Sequence, residues 1–318
     1  MAGSALRADV ISETRAPGLD AGQIRGRRLR EKLFIACGLA STLVGLIALS
    51  FLLFDLAADG LPRLSWDFFT SFPSRRASAA GILSAWVGSV LVILVTAIIG
   101  VPLGVAAGIY LEEYARRNWM TNIIEINVSN LAAVPSIVYG LLALGLFVYG
   151  LGTGRSILTA GLTLALLILP IIIVATRESI RAVPYSIREA AYGIGATKGQ
   201  VTRDHVLPAA IPGVLTGIII GLSRALGETA PLITIGALTF IAFLPDPPIT
   251  SEFPFISFRW LFDGFTVLPI QAFNWISRPG SDFHANAAAA GLVLLALTLS
   301  LNALAIVLRY RLRRRLQW

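Results

Sequence analysis

Six stretches of this chain are each apolar for long enough to cross a lipid bilayer, and no other feature restricts its fold so strongly. They run over residues 33–54, 82–109, 131–149, 157–175, 211–243 and 287–308. A helix needs about 20 apolar residues to span roughly 30 Å of hydrocarbon. Backbone polar groups in lipid must also be paired within the structure, which leaves helices for segments of this length. The expected architecture is therefore an all-α membrane protein with six transmembrane helices. Composition agrees, with 56% hydrophobic and only 14% charged residues among 318.

The net charge of +8 comes from basic runs beside the apolar stretches, not from a soluble patterned domain, so it is read as a topology signal and not as a nucleic-acid surface. With an even number of spans the termini share one side. Nineteen Lys and Arg fall on that side against six on the other, and Arg224 alone lies within a span. The positive-inside rule then puts both termini in the cytoplasm of a multi-pass protein of the cell (inner or plasma) membrane. Residues 1–32 are expected to be a flexible basic tail, followed by the first helix and its outer loop (33–81), the main transmembrane region (82–308) and a second basic tail (309–318). The apolar run 33–54 exceeds the roughly 7–15 residues of a signal peptide and is read as an uncleaved helix.

One cysteine, Cys37, and two distant histidines, His205 and His284, supply neither a disulfide framework nor a Cys/His metal cluster. The outer segments 55–81 and 244–286 are rich in Trp and Phe, which is expected to serve mostly interfacial anchoring. Gly100, Gly104 and Gly108 recur every fourth residue, as do Gly213, Gly217 and Gly221, so two helices offer flat stripes for close packing.

The inner loop from Thr176 to Ala210 contains Glu189-Ala190-Ala191, then Gly195, then Leu207-Pro208. Ser186 with Glu189 forms a capping-box pattern that predicts a helix start, and the small residues keep one helix side slender. Pro208 and Pro212 are expected to end the loop and open the fifth span. This spacing resembles the EAA loop of ABC-importer permeases; the departure is His205, where that family more often has isoleucine. The resemblance implies that Glu189, Ala190, Ala191, Gly195, Leu207 and Pro208 couple the chain to an ATPase. The chain itself has two lysines, Lys32 and Lys198, neither in a G-x-x-x-x-G-K-[ST] phosphate loop, so it is not expected to be an enzyme or to bind a cofactor. ATP and magnesium are expected to be bound by the partner ATPase that the resemblance implies.

Ser223 to Pro231 carries Arg224 and Glu228 within the 211–243 run. Each central charge costs at least about 2.5–3.5 kcal/mol on insertion scales, so both need partners or water. Their spacing of four would place them on one helix face, free to pair or to line a wet pathway. A straight helix over this run would measure about 50 Å, so a break is predicted at Gly227–Pro231, which would turn the N-terminus of a second half-helix toward an anion. Arg224 offers a planar fork suited to phosphate oxygens. An ion pair that only fixes helix register is the alternative for Arg224 and Glu228.

Ala225-Leu-Gly-Glu-Thr-Ala-Pro-Leu232 resembles the signature of the PstA type of permease in phosphate-specific ABC importers. Further matches are Pro73-Ser-Arg-Arg76, Val101-Pro-Leu-Gly-Val105, Tyr110-Leu-Glu-Glu-Tyr-Ala115, Ala133-Val-Pro-Ser-Ile-Val-Tyr-Gly140 and Leu268-Pro-Ile-Gln-Ala-Phe-Asn-Trp275. The resemblance implies the type I (MetI-like) ABC-importer fold. It also implies a PstC-like second permease, a PstB-like ATPase dimer at the cytoplasmic face and a PstS-like phosphate-binding protein at the outer face, all in membrane lipid and without nucleic acid. Arg224, Glu228 and Thr229 would then line the pathway. Permeases for sulfate or molybdate, and an ion-coupled secondary transporter, are the alternatives. The last would bring more intramembrane acids and repeated halves.

Overall fold

The computed structural model describes residues 21–116, 118–248, 255 and 257–315. Twelve α-helices follow in order: α1 (Ala21–Gly60), α2 (Trp66–Thr70), α3 (Leu83–Ile109), α4 (Trp119–Leu131), α5 (Ser136–Ala143), α6 (Ile157–Arg181), α7 (Tyr185–Gly193), α8 (Lys198–Gln200), α9 (Leu207–Leu226), α10 (Ala230–Thr234), α11 (Leu268–Ile276) and α12 (Ser281–Arg315). Among the described residues, five helical stretches are long and apolar enough to cross a membrane, and there are six if Trp119–Leu131 and Ser136–Gly150, bent by 108° to each other, count as one span.

The chain divides at Asp55 and Leu56 into two units. The first contains most of α1, a single helix whose apolar side chains from Leu33 to Phe54 are largely exposed. Residues 21–32, expected to be a flexible tail, are helical here, because nothing in this Arg-rich run stops a helix propagating outward from the apolar span. Residues 1–20 lie outside those described. At the other end α12 likewise continues through Arg309–Arg315, and residues 316–318 lie outside.

In the second unit α6 is the central helix. Its start is fixed by Ser156, whose Oγ accepts from the Thr159 N–H at 3.3 Å. The two glycine stripes grip it from opposite partners. Gly100, Gly104 and Gly108 of α3 lie on Ala165, Ile172 and Thr176, while Gly213, Gly217 and Gly221 of α9 lie on Ser179, Ala175 and Ile168–Ile172. The stripes therefore do the close packing that their spacing predicted. α12 runs antiparallel to α9, joined by Ser223 donating to Asn302 and by Arg309 donating to Thr216 at 2.9 Å. The end of this unit that holds α7 and the C-terminal end of α12 is called basal below.

Two spans differ from expectation. The third is not a straight helix over 131–149. α4 ends at Leu131, the chain turns at residues 132–135, and α5 starts after Pro135, since a proline disfavours helix at the preceding residue. The fifth does not run over 211–243. A continuous helical stretch begins at Lys198, ends at Leu226, and is followed only by the five-residue α10. Nor do Pro208 and Pro212 open that span. A π-helical turn at Val201–Val206 precedes them, and the Leu207 N–H bonds to Thr202 O, five residues back, so the helix passes into its proline-bearing turn with the register shifted. The loop after α6 is correspondingly shorter than 176–210, because α6 extends to Arg181.

The outer segments also do more than anchor. Phe68, Trp260, Phe265 and Trp275 are buried, with Phe68 and Trp275 rings 6.0 Å apart in one apolar cluster with Leu268 and Ala287. Trp66, Phe262 and Phe273 remain exposed. Arg63, counted above as a topology charge, is structural: it donates to Asn286 Oδ1 and to the carbonyls of Ala77, Ser78 and Ala80.

Candidate functional site

Arg224 sits in the last turn of α9, where its helix comes apart. α9 ends at Leu226, Gly227 takes the C-cap position, and Glu228 and Thr229 lead into α10, whose first turn holds the buried Pro231. The predicted break is thus present, and proline is placed where its missing N–H costs nothing. Two details differ from expectation. Glu228 lies beyond the helix end and does not share a helix face with Arg224; among the described residues neither makes an ion pair. And α10 has only five residues, too short to offer the helix dipole that a long second half would carry.

Depth follows from the antiparallel packing on α6. Gly221 meets Ile168 and Ile172, so Arg224, one turn further on, lies level with residues near Ala165. That is roughly 12–18 Å from the Ile157 end of α6 and roughly 18–24 Å from the Arg181 end, at 1.5 Å per residue. In this chain alone the Arg224 side chain is exposed, Glu228 and Thr229 are half-buried, and Ala225 and Leu226 are packed into the core. The backbone turns so that the charge faces outward from the chain while its neighbours face in.

α5 holds the broken segment in place. A Cβ on Gly140 would overlap Thr234 Oγ1 and lie 2.7 Å from Pro231 Cα, so only glycine lets α10 seat there. Beside it Tyr139 donates its hydroxyl to Leu131 O at 2.8 Å, across the α4–α5 turn. Beyond α10, Gly236 takes a positive φ of 89° directly under the Arg155 side chain. Sequence reading had counted Arg155 only toward topology.

At the basal end, α7 carries the Glu189-Ala190-Ala191 motif. It begins at Tyr185 after Pro184, with no side-chain cap, so the Ser186–Glu189 capping box does not form; the capping box nearby is Thr197 with Gln200. Glu189 and Ala190 are exposed, whereas Ala191 is buried with Ile180, Val201, Val206 and Val214. Tyr185, Tyr192 and Ile194 add exposed apolar surface. Gly195 closes the helix at φ 87°, its N–H bonding Tyr192 O at 2.9 Å, which explains why a glycine stands there. Leu207 and Pro208 are half-buried at the start of α9. His205 is exposed on the π-helical turn while Val206 is buried, so the polar residue does not disturb packing.

Sequence reading missed a cluster of ion pairs above α7. Arg177, nearly buried, contacts Glu112 Oε2 at 3.4 Å, an ionic contact without hydrogen-bond geometry, and Glu125 Oε1 at 2.7 Å. Arg181 pairs with Glu112 at 2.9 Å and Glu178 at 3.1 Å, and Arg188 pairs with Glu113 at 2.8 Å. A polar cavity of about 490 Å³ lies among Glu112, Glu113, Arg181, Pro184, Tyr192 and Lys198. Glu112 and Glu113 were visible in the Tyr110–Ala115 motif, but partners some 70 residues away leave no spacing signal. Among the described residues no group of three or more His, Cys, Asp or Glu could hold a metal ion.

Residues 100–318 match the family described as "Binding-protein-dependent transport system inner membrane component". The chain is 37% identical over 212 residues to the phosphate transport system permease protein PstA of Yersinia pestis, covering 65% of this chain and 70% of that protein. It is 33% identical over 273 residues to the protein of the same name from Haemophilus influenzae, covering 84% and 89%. Among solved structures, a bacterial ABC transporter involved in import of the acidic polysaccharide alginate superposes with a TM-score of 0.62 at 14% identity, covering 91% of this chain and 99% of that one. That likeness concerns the fold.

Proposed function

Because the chain belongs to the binding-protein-dependent transport system inner membrane components, and among them to the PstA-type permeases of phosphate ABC importers, we propose that Arg224 is the anion contact in its translocation pathway. The observation that carries this is a guanidinium at mid-depth, exposed on a single chain, beside a helix break, with no carboxylate partner among the described residues. An arginine kept inside a membrane only to fix register would be expected to have its counter-charge beside it. Its fork suits two phosphate oxygens at once. Thr229 supplies a hydroxyl donor next to the break, and Glu228 acts as a gate or a transient partner of Arg224. Gly227 and Pro231 set the break.

The exposed side of Arg224 fits a pathway completed by a second, PstC-like permease. A PstB-like ATPase dimer would bind ATP and magnesium and dock on Glu189, Ala190 and the exposed apolar residues of α7, with Gly195, Leu207 and Pro208 shaping the support. Ala191 faces the bundle and so would hold α7 in place, not touch the ATPase. A PstS-like binding protein would deliver phosphate at the opposite face. The basal end is cytoplasmic in this reading, in line with the excess of Lys and Arg there. Affinity at Arg224 is expected to be weak, since a pathway must release its ion.

Labelled phosphate uptake into proteoliposomes holding the full importer tests the reading. Uptake should require ATP and the binding protein, survive collapse of ion gradients, and resist competition by sulfate or molybdate. Competition by either oxyanion as strong as by phosphate itself would refute the substrate, and loss on collapsing the gradients would refute the energy source.

A further inference from the structure

The basal ion pairs join the neighbouring helices α3 and α4 to α6 and α7, which lie much further along the chain, and Arg188 occupies a particular place among them. It is the residue just before the Glu189-Ala190-Ala191 motif, yet its side chain turns away from the exposed face of α7. Nη1 donates to Val183 O at 2.8 Å, and Nη2 donates to Ile180 O at 3.1 Å and to Glu113 Oε1 at 2.8 Å. Ile180 lies in the last turn of α6 and Val183 in the turn that follows it; Glu113 lies in the π-helical turn that ends the α3 span. One guanidinium thus holds the ends of two membrane helices and the coupling helix together. Its side chain is 13% exposed and that of Glu113 is 8% exposed, so water does little to weaken the pair.

The remaining attachment of α7 is apolar and centres on a different element. Ala191 packs with Val201, Val206 and Val214, on the stretch that runs into α9, and with Ile180 of α6, while Val105 and Ile109 of α3 border the same cluster. Two kinds of connection therefore leave α7: an apolar one centred on the α9 stretch and bordered by α6 and α3, and a directional polar one, through Arg188, that grips the ends of α3 and α6. Arg177 and Glu125 extend the polar one to α4. Arg177 and Arg181 are accordingly committed to carboxylates at the basal end, which argues against a role as free anion contacts on the exit route.

We propose that Arg188 and Glu113 are the positioning pair that makes α3 and α6 follow the coupling helix, so that ATPase movement reaches both sides of the bundle and not α9 alone. With the pair broken, α7 still engages the ATPase and still moves α9, but α3 lags and the pathway does not switch. This inference rests on the proposed docking of α7 on the ATPase, and that reading has its own point of failure: a Glu189→Lys variant that leaves ATPase binding intact.

The experiment uses the complete importer in proteoliposomes with R188Q, E113Q and the double variant, measuring phosphate uptake and ATP hydrolysis on the same vesicles. The expected result is a normally assembled complex that hydrolyses ATP within about twofold of the parent, with phosphate moved per ATP reduced at least about tenfold; the double variant should be no worse than the worse single one, as for two residues acting through one contact. An assembly role alone would lower both activities together and leave their ratio unchanged, and that result overturns the proposal. Additive losses in the double variant overturn it as well. If R188Q fails to assemble, E113Q decides, because it keeps both carbonyl bonds of Arg188 and alters nothing on α7: uncoupling in E113Q supports the pair, and an unchanged uptake-to-hydrolysis ratio refutes it.

Discussion

Gly104 of α3 and Ile172 of α6 meet so closely that a Cβ on the glycine would lie 2.7 Å from Ile172 Cγ2. The contact is one rung of the stripe that seats α3 on α6, and Gly217 against Ala175 repeats it on the α9 side. Gly104→Val should destabilise the chain by at least about 1–3 kcal/mol, the usual cost of overpacking a close-packed core. Ile172→Ala in the same chain should recover part of the loss, because the space needed is the space the isoleucine fills. Thermal unfolding of the purified complex in detergent measures both.

Trp275 and Trp66 separate the two kinds of aromatic in the outer segments. Trp275 is fully buried against Phe68, whereas Trp66 is 80% exposed. Trp275→Ala should cost about 3–5 kcal/mol and show as a large drop in unfolding temperature. Trp66→Ala should change stability by less than about 0.5 kcal/mol. Equal effects would mean that the outer segments do not fold back onto the bundle as described.

Gly195 and Gly193 test the closing turn of α7. A Cβ meets nothing within 4 Å at either, but only Gly195 has positive φ, at 87°. Gly195→Ala should therefore cost about 1–2 kcal/mol through backbone strain alone. Gly193→Ala should be neutral or stabilising by about 0.5–1 kcal/mol, as for alanine replacing glycine in a helix. Weaker ATPase co-purification with the first variant and not the second would connect the turn to docking.

Glu189 is exposed on α7 and makes no ion pair among the described residues, which leaves its carboxylate for a partner. Glu189→Lys should reduce the amount of ATPase that co-purifies with the permease while leaving its unfolding temperature unchanged, since exposed substitutions away from structural contacts usually move stability by less than about 0.5 kcal/mol. Undiminished co-purification would remove Glu189 from the docking surface.

The residues differ in how far their roles could be read from sequence. Apolar length alone revealed the spans, and four-residue glycine spacing revealed the faces of α3 and α9 that grip α6, because both signals are local. The break near Pro231 was legible for the same reason. The turn between α4 and α5 was hidden because Pro135 lies inside an apolar run, and the polar residues of α4, such as Asn122 and Glu125, kept that helix from reading as part of a span. The π-helical turn at Val201–Val206 has no composition signal, so Pro208 read as an end and not as a passage. Arg177, Arg181 and Arg188 could be counted as positive charges, but Glu112, Glu113 and Glu125 reach them only through tertiary packing.

The central claim is that Arg224 meets the transported anion, and Arg224→Gln in an importer shown to be assembled and ATPase-competent tests it most directly. Glutamine keeps length and polarity but loses the charge and the fork, so labelled phosphate uptake should fall at least about tenfold, with Arg224→Lys in between because a point charge replaces a bidentate contact. Uptake at the parent rate in the glutamine variant would contradict the account.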